Sequence, residues 1–258
     1  MLLIIVGNQH EFIFEKQNIS MILDKYKLVL SIVLTALFLS VSDASAQITV
    51  RNQISENTPI VDKVTGRRIS FQEYQGLIKP DPYAYHLEPV YDEYGQASSY
   101  KLRRATSEEH DTHGFDYRDS TLQLKIGQEI PLFIMKGADG KTYRSTDLKG
   151  QPVVLSFWLS LNKPFWTKGR ADAFGKAIAP YQVVSLGIIN NSKQEVADHI
   201  KEETLPFVPI PDSYGFARKF QMLSSPAFIV IDKTGKVAAL IEGTKDEQLK
   251  TILEEVTR

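Results

Sequence analysis

Apolar positions in the second half of the chain fall into short continuous runs separated by wider, spaced stripes. Val153–Trp158 is an almost unbroken run with β-branched residues, the pattern of a strand buried on both faces. Gln182–Ile189 repeats it. Pro226–Asp232 and Val237–Ile241 flank Lys233-Thr234-Gly235-Lys236 and predict a hairpin. Between these runs the spacing changes to a helical one. Val196 and Ile200 stand four apart in Lys193–Glu203, Tyr214–Phe220 predicts a short helix, and Leu249, Ile252, Leu253 and Val256 make one face of Lys245–Val256. Just past the first run, Asn162 offers a capping side-chain oxygen and Pro164 fits a first helical turn, so a helix is expected to start there. Strands alternating with helices and closing on a hairpin predict an α/β fold, a mixed sheet with helices on both faces.

Residues 47–120 have a different texture, polar and rich in tyrosine. Ile60–Val64 and Arg67–Phe71 around Thr65-Gly66 predict one hairpin, and Ala84–Tyr91 with Ser99–Arg104 a second. Ser70 and Glu73 have capping-box spacing for a short helix running to about Leu77. The apolar surface is too small for an independent core, which predicts a small α+β extension packed on the following domain. Nothing in its sequence decides whether it also mediates oligomers.

The first 46 residues read as a signal-peptide region, with Met21 as the start. Lys25 and Lys27 precede the apolar run Leu28–Val41, and Ala44-Ser45-Ala46 supplies a cleavage site before Gln47. The run is shorter than the roughly 20 residues of a spanning helix, so export without a stable membrane anchor is expected. The organisation is thus 1–46 leader, 47–120 extension and 121–258 α/β domain.

The full chain of 258 residues carries a formal charge of −1. Removing the leader leaves equal numbers of acidic and basic residues, so no nucleic-acid partner is expected. There is no cysteine, which excludes disulfides, thiolate metal ligands and thiol nucleophiles. Glu108-Glu109-His110-Asp111-Thr112-His113 gathers imidazoles and carboxylates, but in no metal-ligand spacing; a solvated linker is expected there, with no metal and no cofactor. Ser160 and Ser225 carry hydroxyls outside any Gly-x-Ser-x-Gly elbow, and His199 is expected on a helix surface.

Val153–Trp166 nevertheless resembles the thioredoxin superfamily, in particular its exported thiol–disulfide (TlpA-like) and redoxin branches, whose pattern is F-W-x-x-W-C-x-x-C with proline before the second cysteine. Phe157, Trp158 and Pro164 match, Leu161 stands for the second tryptophan, and Asn162 and Phe165 replace the two cysteines. The resemblance runs from Thr121 to the C-terminus. Gly127-x-x-x-Pro131-x-Phe133 and Gly137-Ala138-Asp139-Gly140 are similar to the entry strand and turn of redoxin-type domains. Leu148–Pro152 resembles their lead-in to the first central strand, and Leu205-Pro206-Phe207 with Asp212 their insertion. Ser225-Pro226 matches their cis-proline loop.

The resemblance implies a thioredoxin-like fold in which the family's nucleophile is missing. Catalytic residues are therefore not assigned. Asn162 and Phe165 become degenerate active-site positions, and the surface that remains, Phe165, Trp166, Ser225 and Pro226, is expected to bind a polypeptide partner in the envelope or outside the cell. The alternative implied by family membership is a thiol–disulfide oxidoreductase or antioxidant protein, with a chemistry that a cysteine-free chain does not reveal.

Overall fold

The structure is a computed structural model that describes residues 54–115, 119 and 121–258. The expected leader and cleavage site lie outside the described residues.

Strands β1 (Ile60–Asp62), β2 (Arg68–Ile69), β3 (Tyr85–Tyr91) and β4 (Ala97–Arg104) form a four-stranded sheet in the order β2-β1-β4-β3. The β3–β4 pair is the second expected hairpin, with a bulge at Val90/Tyr91. Ile60, Ile69, Tyr100 and Leu102 are the buried residues of its small core. Helix α1 (Phe71–Ile78) starts where Ser70 Oγ accepts the Glu73 N–H. The Glu73 carboxylate does not close the expected capping box but pairs with Arg67.

The acidic stretch expected to be a linker is instead helix α2 (Ser107–Thr112), closed by a capping box between Thr106 and Glu109. Glu109 is buried and takes two hydrogen bonds from Arg103, each 2.6 Å long. The Arg103 guanidinium holds its carboxyl down to about 2. A charge-paired Glu at the third helical position is what turns this segment from solvated chain into packed helix.

Strands β5 (Ile134–Lys136) and β6 (Thr142–Arg144) make a hairpin, and the large sheet follows. It comprises β7 (Val153–Trp158), β8 (Val184–Ile189), β9 (Val208–Ile210), β10 (Ala227–Ile231) and β11 (Val237–Glu242) in the order β11-β10-β7-β8-β9. β7, β8 and β9 are parallel, and β10 and β11 antiparallel to their neighbours. Every residue of β7 is buried, because alternate side chains enter two separate cores. Val153, Leu155 and Phe157 face a cluster with Phe133, Phe216 and Phe220. Val154 and Trp158 face the other, built with Phe174, Phe207, Phe228 and Leu249. Helices α3 (Lys168–Ile178), α4 (Lys193–Glu202), α5 (Tyr214–Lys219) and α6 (Asp246–Thr257) complete the layers.

The extension packs against α5 through the β3–β4 turn. A Cβ on Gly215 would overlap the Gly95 carbonyl oxygen, and one on Gly95 would meet the Phe216 ring, so two glycines permit the approach. Lys219 Nζ locks it by donating to Asp92 O at 2.7 Å and Leu132 O at 2.8 Å.

Candidate functional site

The C-terminal end of β7 meets two loops, residues 159–167 and residues 222–226. The first differs from expectation. Helix α3 does not begin at Asn162; it begins at Lys168, with Thr167 as cap, its hydroxyl accepting the Arg170 N–H. Asn162 instead closes a turn, its carbonyl accepting the N–H groups of Phe165 and Trp166 at 3.0 Å each. Pro164 lies inside that turn after a cis Lys163–Pro164 bond. Two residues able to cap stand five positions apart, and tertiary anchoring selects the later one.

Those anchors lie at either end of the turn. Leu161 is buried, and its N–H donates to the buried Asn191 Oδ1 at 2.8 Å. Trp166 is buried at 4% exposure, stacked edge-on against Trp158, and its indole N–H donates to Glu203 Oε2 at 3.0 Å. Trp166 therefore belongs to the core and leaves the expected partner surface. Phe165, one residue earlier, is 43% exposed. With its neighbours fixed inward, the chain direction at the turn leaves its ring outward. The same packing corrects His199, which is not a free surface residue: its ring lies edge-on to Trp166 at 5.9 Å, with Nε2 3.4 Å from Glu203 Oε2.

The second loop enters β10 through a cis Ser225–Pro226 bond. Pro226 is buried and Ser225 exposed. Ser225 Oγ accepts the Leu159 N–H at 2.9 Å, which ties the two loops together. Among the described backbone hydrogen bonds, the N–H and C=O of Ser225 take no part.

The geometry brings Phe165 and Ser225-Pro226 to one end of the sheet, with Asn162 beside them. It supplies no nucleophile. Asn162 is an amide, and the Ser160 hydroxyl accepts the Asn162 N–H at 3.0 Å, with no imidazole or carboxylate bonded to it among the described residues. Ser156 Oγ, beneath the site in β7, donates to Leu186 O and is fully buried. The acids and histidines of α2 do not converge either. Glu109 is committed to Arg103, His110 pairs with Asp81 at 2.8 Å, and the His113 ring stacks on Tyr83. Sequence reasoning missed Asn191, Glu203 and Thr167 as the groups that shape the site. Only Thr167 left a local signal, a capping residue three positions before Arg170.

A five-stranded mixed sheet with helices on both faces, and a cis-proline loop beside the end of its central strand, defines a thioredoxin-like domain. Residues 126–240 match the model of the AhpC/TSA family. The thiol-disulfide oxidoreductase ResA of Bacillus thuringiensis subsp. konkukian is 28% identical over 141 residues, 52% of this chain and 80% of its own length. The chloroplastic peroxiredoxin Q of Triticum aestivum is 33% identical over 126 residues, 45% of this chain and 58% of its own. Among solved structures, the thioredoxin domain of a thiol-disulfide oxidoreductase from Bacteroides vulgatus aligns over 53% of this chain and all of its own, with 17% identity and a TM-score of 0.43.

Proposed function

We propose that this is an exported thioredoxin-like protein without thiol redox activity, which binds a polypeptide partner through the surface around Phe165 and Ser225, the buried Pro226 serving only to hold the Ser225 loop. The observation that carries this is the exposed Phe165 at a position where the family pattern has a sulfur, with an exposed Ser225 in an adjoining cis-proline loop. An extended segment placed along Ser225 can pair with its backbone as an added strand, and an apolar side chain of that segment can cover Phe165. Export rests on the Lys25/Lys27, Leu28–Val41 and Ala44-Ser45-Ala46 succession. The near-balanced charge fits a protein partner rather than nucleic acid.

The test is capture from the envelope fraction by the wild-type protein and by Phe165→Ala. Fully burying a Phe is worth about 1.5–3 kcal/mol, so the variant should bind about tenfold or more weakly at an unchanged melting temperature. Recovery of the same polypeptide by both would remove this surface. Insulin reduction or peroxide consumption by the purified protein should show no turnover; turnover would overturn the redox-inactive part.

A further inference from the structure

Helix α5 runs almost directly into the loop that carries Ser225, and Gln221 stands at the junction. Its backbone is left-handed, with a φ of 56°, a conformation that glycine or asparagine adopts with less strain at a helix end. Its side chain is buried, at 7% exposure, and bonded at both amide atoms. Nε2 donates to Arg218 O at 2.9 Å, which caps α5. Oε1 accepts the Asp119 N–H at 2.8 Å, across 102 residues of chain. Asp119 belongs to the N-terminal extension and is fixed there. Its Oδ1 accepts the Thr121 N–H at 2.9 Å and the Thr121 hydroxyl at 2.6 Å, and its Oδ2 lies 3.5 Å from Lys63 Nζ. Lys63, directly after β1, also pairs with Glu88 of β3 at 2.8 Å. On the far side of Gln221, Met222 is buried in the large-sheet core, and Ser225 Oγ accepts the Leu159 N–H.

We propose that Gln221 is a positioning residue through which the extension holds the Ser225 loop in place. The extension thereby has a task at the site. Gln221 fastens the start of the loop to Asp119, and the Leu159 bond fastens its end. The consequence for function rests on the polypeptide-binding reading, since the loop held in this way is the one offered to the partner. Removing one member of a buried hydrogen bond leaves the other unsatisfied, so a single side chain controls the hold.

The experiment reads hydrogen exchange at the Leu159 amide, which lies on the other loop and is bonded to Ser225 rather than to Gln221. In the protein expressed from its full reading frame, this amide should exchange faster than that of Leu155, in the core of β7, because the loop opens without global unfolding. Gln221→Gly suits the left-handed backbone and removes the side chain, while Gln221→Met fills the space without the hydrogen bonds. Both should speed Leu159 exchange about tenfold or more. Asp119→Ala frees the other partner from Thr121 and Lys63 and should speed exchange less. In the Gln221→Met background it should add nothing, because the two residues act through one bond.

Unchanged Leu159 exchange in Gln221→Met, effects of Asp119→Ala and Gln221→Met that add in full, or Leu159 and Leu155 exchanging at one rate in the wild type would each overturn the proposal. Full additivity would leave Gln221 as a cap for α5 alone. If either Gln221 variant fails to fold, the other decides. Capture of the polypeptide tests the underlying reading separately. Faster Leu159 exchange with capture unchanged in Gln221→Met supports the hold and removes Ser225 from the docking surface. Unchanged Leu159 exchange overturns the hold whatever capture shows, and leaves the docking surface to the Phe165→Ala test.

Discussion

The two loops at the end of β7 differ from the thioredoxin-like redoxin pattern to different degrees. Residues 222–226 keep the cis-proline entry into β10, with Ser225 exposed and Pro226 buried. Residues 159–167 have been rebuilt: both sulfur positions hold other residues, and the helix starts at Lys168 behind a separately anchored turn. A loop that offers backbone groups has the same work to do with or without a thiol. A loop whose work is to activate a thiolate does not, and here the helix N-terminus that would lower a thiol pKa lies downstream, at Lys168. On the proposed reading, the pair of loops separates what the fold needs for presenting a peptide edge from what it needs for sulfur chemistry.

The largest effect that bears on this contrast is expected inside the rebuilt loop. Trp166→Ala removes a buried ring that packs on Trp158 and Phe207 and breaks the bond to Glu203, and should cost about 3–5 kcal/mol in denaturant unfolding. Phe165→Ala, one residue away, should change stability by less than about 0.5 kcal/mol. Equal losses at both positions would mean that the turn is not organised by Trp166.

A smaller effect distinguishes the two residues able to cap. Thr167→Ala should cost about 1 kcal/mol through loss of the bond to the Arg170 N–H, whereas Asn162→Ala should leave the stability of α3 unchanged, because only the Asn162 backbone holds the turn. The reverse ranking would restore Asn162 as the cap.

The smallest effect is an expected absence of change. With Asn162→Cys and Phe165→Cys together, the two residues end one hydrogen-bonded turn, whose Cα atoms lie within about 7 Å, a separation a disulfide can bridge. Mild oxidation should close it. The pH dependence of alkylation of the reduced form should report a first thiol near the free value of about 8.5, since no helix N-terminus adjoins it. A midpoint well below that would place the helix dipole at residue 162 after all.

Much of the fold was legible because it rests on local pattern. The continuous run Val153–Trp158 announced a strand buried on both faces, and all six residues are buried. Other parts depended on partners distant in sequence. Val208-Pro209-Ile210 is too short and interrupted by proline, and becomes β9 only because it occupies a sheet edge, where proline is tolerated. In α4 the expected stripe is narrower than drawn: Val196 is buried but Ile200 is 44% exposed. Helix α2 was hidden by its acidity, although Thr106 and Glu109 had capping-box spacing and Arg103 lay six residues before Glu109. At the site, Asn162, Phe165, Ser225 and Pro226 could be pointed to from the chain, but the inward turn of Trp166 could not. It depends on Glu203, Phe207 and Trp158, brought together only by the folded sheet.

The central claim is that the end of β7 is where a polypeptide sits, and photo-crosslinking tests it most directly. A photoreactive phenylalanine analogue is placed at position 165, and in a second protein at Ile200, which is apolar and almost equally exposed at 44% against 43% but lies on α4. Irradiation in the envelope fraction should join a polypeptide to position 165 and leave position 200 unlabelled. Equal labelling at the two positions, or labelling at 200 alone, would contradict the account.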